Sequence, residues 1–267
     1  MLPQPLRFAW RLFGLGGVFL LISLDFARLW VLGAGVSIRE RTEWMSRSSR
    51  RILRFLGVKA TYYGQAPTQG LLVSNHLSYL DILVFGQAQP LIFVSKSEVR
   101  DWPFVGWLTR CAGTLFIHRQ NKPDVIRLAE DFTGLIQQGA VIALFPEGTS
   151  SDGTDVLPFR SALLEPAARY GWAVSPTWIG YTVENGSVEQ EICFWGDMSF
   201  GSHLLNLLCK KGIQANVVYR PALPPGLNRK EMTAELRKEI LRVRMLFTEG
   251  KQMPVQQSNT MMAGGSL

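Results

Sequence analysis

A histidine and an aspartate stand five residues apart, directly after a short apolar run, at His76 and Asp81. Histidine has an unperturbed pKa near neutrality, so its imidazole can take a proton from a hydroxyl group at working pH. A carboxylate bonded to the other ring nitrogen would fix the tautomer and stabilise the imidazolium that forms. The pair therefore indicates general-base catalysis on a hydroxyl group, and the alternative is a capped turn with no part in catalysis.

The spacing of the pair restricts where the two side chains can meet. On a regular α-helix, five residues are separated by about 140° and ~7.5 Å, so two mid-helix positions would point apart. The side chains can meet if His76 lies in the turn before a helix and Asp81 lies in its first turn. We expect this strand–turn–helix arrangement, with Ser78 as the helix N-cap.

A second polar segment follows the apolar run at residues 141–145 and reads PEGTSSDG over residues 146–153. Glycine and hydroxyl residues at the carboxyl end of a buried strand expose backbone N–H groups, which can hold an anion or an oxyanion. Glu147, Gly148 and Thr149 are accordingly predicted to contact the polar part of a substrate. The alternative is an ordinary surface turn.

A third charged group ends the predicted strand at residues 114–117. Arg119 follows this strand, and a guanidinium there can hold a phosphate or carboxylate through two parallel hydrogen bonds. The alternative is a solvated strand end.

The remaining pattern indicates the elements that position these residues. Short apolar runs predict strands at residues 59–63, 71–74, 91–95, 114–117, 141–145, 173–179, 192–195 and 214–219. Helices are predicted at residues 122–138, 161–170 and 229–247, with Asn228 opening the last one. Pro176 indicates an edge strand or a bulge. This alternation predicts an α/β fold with a mostly parallel or mixed sheet covered by helices.

The amino-terminal segment is both apolar and basic. Residues 12–24 are uncharged, but this run is short of the ~20 residues of a typical membrane span. Two interpretations stay open: a single span that tolerates Asp25 and Arg28 near one interface, or a helix embedded in one leaflet. A buried helix of a soluble protein is the third alternative.

The positive charge is concentrated in the same segment. The first 60 residues hold ten Lys or Arg and three acidic residues, which accounts for the whole net charge of +7. This location favours an anionic membrane over nucleic acid as the partner. Residues 37–59 are expected to form a basic amphipathic helix at the headgroup surface with its apolar residues inserted, on the cytoplasmic side. The alternative is a solvated helix packed on the domain.

These observations divide the chain and exclude several kinds of site. Residues 1–57 are predicted to be a membrane-associated helical segment, residues 58–248 the catalytic α/β domain, and residues 249–267 a flexible tail. Three widely spaced cysteines predict neither a disulfide framework nor a zinc site. With only three histidines and no two close together, no metal site is expected. The sequence contains no G-x-S-x-G motif, so nothing in it indicates a serine nucleophile.

Three sequence blocks in order, N-H-x-x-x-x-D, G-x-x-F-I-x-R and F-P-E-G-T-x-S, resemble the glycerolipid acyltransferase family. Its best-known members are the 1-acyl-sn-glycerol-3-phosphate acyltransferases. The blocks are matched at Asn75, His76 and Asp81, at Gly113, Phe116, Ile117 and Arg119, and at Phe145, Pro146, Glu147, Gly148, Thr149 and Ser151. A fourth block is matched only at Pro176.

The resemblance implies an O-acyltransferase of membrane lipid biosynthesis, expected at the bacterial inner membrane. His76 would deprotonate the hydroxyl of a lysolipid for attack on an acyl carrier protein or coenzyme A thioester, and Asp81 would orient it. The polar head of the acceptor would be held by Asn75, Arg119, Glu147, Gly148 and Thr149. The family implies no metal or organic prosthetic group.

Two departures from the family pattern bear on the acceptor. Ser150 stands where phosphatidate-forming members often have arginine, and residues 159–162 read FRSA in place of F-K-x-G. These changes, with residues 195–198 and His203, are more similar to members that acylate lyso-ornithine lipid. The alternative from a different class is a non-catalytic membrane adaptor that keeps the fold.

Overall fold

A computed structural model describes residues 4–32, 36–117 and 122–250. The strands in these ranges are β1 (Val58–Tyr63), β2 (Gly70–Ser74), β3 (Ile92–Lys96), β4 (Leu115–Ile117), β5 (Val141–Leu144), β6 (Val174–Thr182) and β7 (Ile213–Tyr219). They form one sheet in the order β1-β7-β6-β2-β5-β3-β4. Each pair of neighbours is parallel except β6 and β7, which are antiparallel. The predicted mixed α/β sheet is confirmed.

The helices in the described ranges cover this sheet, with short 3₁₀ turns at Ser97–Asp101 and Ser161–Leu164. They are α1 (Gln4–Leu32), α2 (Ile38–Leu56), α3 (Leu80–Ala88), α4 (Val105–Cys111), α5 (Lys122–Gln137), α6 (Glu165–Tyr170), α7 (Val188–Glu191), α8 (Phe200–Cys209) and α9 (Arg229–Thr248). As predicted, Asn228 caps α9: its side chain accepts backbone N–H groups, and Glu231 bonds back to the Asn228 backbone.

The central strands β2 and β5 explain why two separated sequence blocks meet. All residues of both strands are buried, as their unbroken apolar sequence requires. Their side chains alternate between two cores: Leu72 packs with α2, α3 and α8, whereas Leu71 and Val73 pack on the other face. Because β2 and β5 are parallel neighbours, the segments that follow them emerge side by side.

Two strand predictions are corrected by the structure. Residues 192–195 form a loop, because Phe194 N–H donates to the Leu77 carbonyl and the Cys193 carbonyl bonds to His203 Nε2. These partners replace the ladder of a sheet. Strand β6 is an interior strand and not an edge. Pro176 is tolerated there because pairing with β7 begins only at the next residue.

Helix α1 lies along the domain. Near its start, Arg7 donates to the Cys209 carbonyl at the end of α8 (2.8 Å). Farther along, Asp25 pairs with Arg51 of α2 (2.8 Å). From residue 7 to residue 25 a helix rises about 27 Å, so most of α1 follows the protein surface. Its opposite face exposes large apolar side chains, among them Trp10, Phe13, Leu20, Leu21, Leu24 and Trp30.

Helix α2 differs from the expectation that its apolar residues insert into a membrane. Trp44, Leu53 and Leu56 are buried inside the protein, and Trp44 Nε1–H donates to the Ile22 carbonyl of α1 (2.9 Å). The prediction of inserted residues is wrong, because α1 and the domain cover this face. Basic residues such as Arg54 lie on the exposed side.

Candidate active site

His76 and Asp81 meet as their spacing predicts. His76 lies in the loop between β2 and α3, Asp81 lies in the first turn of α3, and Nδ1 of the histidine is 2.8 Å from Asp81 Oδ2. Ser78 is not the N-cap; the capping position is Tyr79, which makes no side-chain cap bond. The Asp81 carboxylate closes the turn instead, by accepting the backbone N–H groups of Leu77 (2.7 Å) and Ser78 (3.0 Å).

This geometry selects one tautomer of the imidazole. A carboxylate facing Nδ1 holds the proton on that nitrogen, so Nε2 carries the lone pair that accepts a proton. The ring stacks on Phe145 with 4.1 Å between ring centroids, and 20% of the His76 side chain is exposed. Asp81 is completely buried. This arrangement can act as a general base that is oriented by a solvent-shielded carboxylate.

Tyr181 completes this arrangement, although no local sequence pattern indicates its role. It lies on β6, and its hydroxyl donates to Asp81 Oδ1 at 2.7 Å. Burial, followed by the charge of Asp81, raises the pKa of Tyr181 well above its ordinary value, so the hydroxyl keeps its proton. The donors from His76, Leu77, Ser78 and Tyr181 thus fix the Asp81 carboxylate toward His76.

We expect Tyr181→Phe to reduce turnover by roughly 10-fold and to lower the free energy of unfolding by ~1–3 kcal/mol, because Asp81 Oδ1 loses its buried donor. Without the hydrogen bond from Tyr181, the Asp81 carboxylate keeps more of its negative charge for the protonated His76 ring. It therefore stabilises that imidazolium more strongly. The acid limb of the kcat/KM profile should therefore move to higher pH. Steady-state kinetics across pH and thermal unfolding measure both effects.

Tyr62→Phe is the matched control for this substitution. Tyr62 is also buried, but its hydroxyl donates to the Val84 carbonyl (2.8 Å) and not to Asp81. It should lose stability and keep the acid limb in place. Equal pH profiles for the two variants would show that Tyr181 has only a structural role.

The loop after β5 holds the backbone of His76 from both sides. Glu147 Oε1 accepts the His76 N–H (3.0 Å), and the Ser151 N–H donates to the His76 carbonyl (2.9 Å). Ser150 Oγ donates to the Phe194 carbonyl, so the same loop also binds the 192–199 segment. The parallel pairing of β2 and β5 makes these contacts possible. Ser151, matched in the third block but given no role there, is thus a second positioning residue.

Asn75 and Glu147 are placed differently from the substrate-binding residues that we expected. The buried Asn75 amide donates to the Ile179 carbonyl and accepts the Ile179 N–H, both at 2.9 Å, which ties the end of β2 to β6. Glu147 is buried, and its second oxygen accepts the Leu157 N–H (3.3 Å). Burial raises the pKa of Glu147 to about 8. Both side chains face the protein and shape the loops around His76.

The other predicted binding residues differ in accessibility. Gly148 is buried with φ 80°, a left-handed conformation that suits glycine at this sharp turn. Thr149 is exposed beside it, and Arg160 is exposed farther along. Arg119 lies outside the described residues.

The described residues can also be compared with the requirements of a metal site and of a reactive thiol. No group of three or more His, Cys, Asp or Glu side chains there is arranged to hold a metal ion. Cys193 lies near the Gly153 end of the loop, but burial raises the pKa of its thiol to about 12. A thiol in this state is a poor nucleophile.

Comparisons with known proteins agree with this geometry. A family model described as Acyltransferase matches residues 58–180. Two proteins named lyso-ornithine lipid O-acyltransferase are similar to this chain. The one from Rhodobacter capsulatus is 38% identical over 65% of this chain and 65% of its own length. The one from Pseudomonas aeruginosa is 35% identical over 78% of this chain and 85% of its own length.

A solved structure is similar in fold. The crystal structure of the 1-acyl-sn-glycerophosphate acyltransferase PlsC from Thermotoga maritima superposes with a TM-score of 0.68, at 17% sequence identity, and covers 92% of this chain and 96% of that one. With the sequence matches and the paired His76 and Asp81, this confirms the resemblance seen in the sequence blocks. The chain belongs to the acyltransferase family, the enzymes that transfer acyl groups.

Proposed function

We propose that this protein transfers a fatty acyl group from a thioester to the hydroxyl of a lysolipid, with His76 as the general base. The observation that carries the proposal is the 2.8 Å contact between Asp81 Oδ2 and His76 Nδ1, which leaves Nε2 to face the substrate. A neutral imidazole nitrogen within reach of the acceptor can take the proton of its hydroxyl.

The proposed reaction is a direct transfer. As the acceptor oxygen attacks the thioester carbonyl, its proton moves to Nε2, and the positive imidazolium is stabilised by the buried Asp81 carboxylate. The tetrahedral intermediate then collapses, the carbon–sulfur bond breaks, and Nε2 returns the proton to the leaving thiolate. The products are the acylated lipid and the free thiol of acyl carrier protein or coenzyme A. This sequence uses one base and requires no covalent enzyme intermediate.

The loop at residues 146–151 is proposed to contact the polar end of the acceptor. Thr149 presents the exposed side chain there, and Arg119, which follows β4 in the sequence, is the proposed anion-holding residue. Asn75, Glu147 and Gly148 would act through the backbone that they hold in place. Each of these roles concerns the acceptor and leaves the proton transfer to His76.

We favour lyso-ornithine lipid as the acceptor. Two relatives at 35–38% identity carry that name. In addition, Ser150 bonds to the Phe194 carbonyl, so it neither presents a cation nor leaves its hydroxyl pointing at a phosphate. The second candidate, 1-acyl-sn-glycerol-3-phosphate, is supported by the three sequence blocks.

The proposed location is the cytoplasmic face of a membrane, with α1 in one leaflet. This helix is apolar and long enough to span by length and composition. However, it is bound to α8 and α2 over most of its length, and α2 carries exposed arginines that the bilayer core would not accommodate. If only the exposed face of α1 is embedded, its apolar side chains enter the lipid and the arginines of α2 stay outside the bilayer core.

An acceptor panel tests the proposal. With a labelled acyl thioester, purified protein should acylate lyso-ornithine lipid faster than 1-acyl-sn-glycerol-3-phosphate. Ser150→Arg should move the preference toward the phosphate acceptor, because it adds a cation beside the loop. Ser150→Ala is the matched control, since it removes the bond to Phe194 without adding charge. A wild-type preference for the phosphate acceptor would contradict the acceptor assignment, and no turnover with any lysolipid would contradict the function.

A further inference from the structure

Three large aromatic side chains lie exposed in the segment that runs from the end of the Ser97–Asp101 turn into α4. Phe104 is 81% exposed, and Trp102 and Trp107 are each 38% exposed. Phe104 also has φ 59°, the one positive value that the described part of the chain has outside glycine. Bulky residues rarely adopt this conformation, which is strained. The backbone therefore holds an aromatic ring outward at an energetic cost. We call these three residues the aromatic edge.

The aromatic edge continues the exposed apolar face of α1. The ring of Trp107 contacts Phe26 of α1, with centroids 6.2 Å apart and an edge-on geometry. Trp30 lies one helical turn after Phe26, on the same side of α1, and is 67% exposed. One continuous surface thus joins the long apolar helix to the aromatic edge. A flat lipid surface can cover both parts together.

The aromatic edge also leads to the active site. Trp102 contacts Phe200 (5.8 Å between centroids), and Phe200 contacts Tyr79 (5.1 Å). Tyr79 is three residues from His76 and occupies the N-cap position of α3, the helix that carries Asp81. A chain of aromatic contacts therefore runs from the exposed edge to the loop of the base.

The charges around the aromatic edge fit the headgroup region of a bilayer. Lys96, Arg100 and Arg110 are exposed around it, together with the acidic Glu98 and Asp101. Tryptophan and phenylalanine within such a polar rim are typical of membrane interfaces, where one end of the ring is apolar and the other is wet. A protein partner could use the same residues, but it would leave the exposed face of α1 uncovered.

We propose that Trp102, Phe104 and Trp107 insert into the interface of an anionic bilayer and hold the mouth of the active site at the depth of the acceptor hydroxyl. The part that concerns the acceptor rests on the proposed function. The insertion itself does not, because it follows from the exposed surface.

A fluorescent probe tests the insertion without any catalysis. Phe104→Cys in a Cys209→Ser background carries an environment-sensitive dye, while Cys111 and Cys193 are buried. With vesicles of phosphatidylethanolamine and phosphatidylglycerol, we expect a blue-shifted emission that brominated lipids quench. Tyr170→Cys is the matched control, since Tyr170 is also an exposed aromatic residue but lies on α6, on the other face of the sheet. A vesicle-bound protein whose probe at position 104 shows no shift would overturn the proposal.

Activity measurements separate this proposal from the proposed function. Phe104→Asn replaces the ring with a small polar side chain, and thermal unfolding checks that the fold is kept. It should raise the apparent KM for a bilayer-embedded lysolipid roughly 3- to 10-fold, as expected for the loss of one interfacial aromatic anchor. Turnover of a short-chain, monomeric lysolipid should stay unchanged. Equal losses on both acceptors would overturn the proposal, whereas a wild-type protein inactive on every acceptor would contradict only the function.

Discussion

His76→Ala is expected to lower kcat roughly 10²–10⁴-fold with little change in KM. The substitution removes the nitrogen that takes the acceptor proton, and an interaction made in the transition state appears in kcat. Because the side chain is partly exposed and Asp81 keeps its other donors, the fold should survive. Turnover of labelled thioester and lysolipid measures the effect, with thermal unfolding as the check on folding.

A pH series strengthens this test. The wild-type protein should lose kcat/KM on the acid limb of its pH profile, because a protonated imidazole cannot act as a base. The residual activity of His76→Ala should not show that limb. Turnover within 10-fold of wild type in a folded variant would remove His76 from the mechanism.

Asp81→Asn is expected to lower kcat roughly 10³–10⁴-fold, as similar exchanges do in hydrolytic triads, because the amide does not hold Nδ1–H toward a negative charge. It should also destabilise the protein. Four donors converge on the Asp81 carboxylate, from His76, Leu77, Ser78 and Tyr181. The amide of asparagine points its own N–H groups at one or more of these four donors. Each donor that is left buried without an acceptor costs ~1–3 kcal/mol. Kinetics and denaturant unfolding measure the two effects separately.

Two further variants isolate the role of Asp81. Asp25→Asn removes a carboxylate that pairs with Arg47 and Arg51 far along α1, so it should leave turnover nearly unchanged. The double variant His76→Ala/Asp81→Asn should be no slower than His76→Ala, because Asp81 acts through the histidine. A double variant with fully additive losses would show that Asp81 has an independent task.

The central part of the fold and the contact between His76 and Asp81 could be predicted because their signals are local. The apolar runs of β2 and β5 and the five-residue spacing of His76 and Asp81 contain the information that positions them. Parallel pairing then brings the two following loops together. The resemblance to a known family added the order of the sequence blocks along the chain.

Other features depend on contacts that no local pattern contains. Tyr181 lies 100 positions from Asp81, and only the placement of β6 beside β2 brings the hydroxyl to the carboxylate. Residues 192–195 are apolar enough for a strand, but their backbone groups bond to the His76 loop and to α8. The apolar face of α2 looks suited to lipid until α1 covers it. Asn75 and Glu147 match a family block, and only coordinates reveal that their side chains point inward.

The identity of the product tests the central claim most directly. Wild-type protein, an acyl thioester and a lysolipid are incubated, and the lipids are identified by mass spectrometry beside a matched acceptor whose hydroxyl is blocked as a methyl ether. We predict the O-acylated lipid and one equivalent of free thiol with the open acceptor, and neither with the blocked one. Release of free fatty acid at the same rate with either acceptor would contradict acyl transfer and indicate a hydrolase.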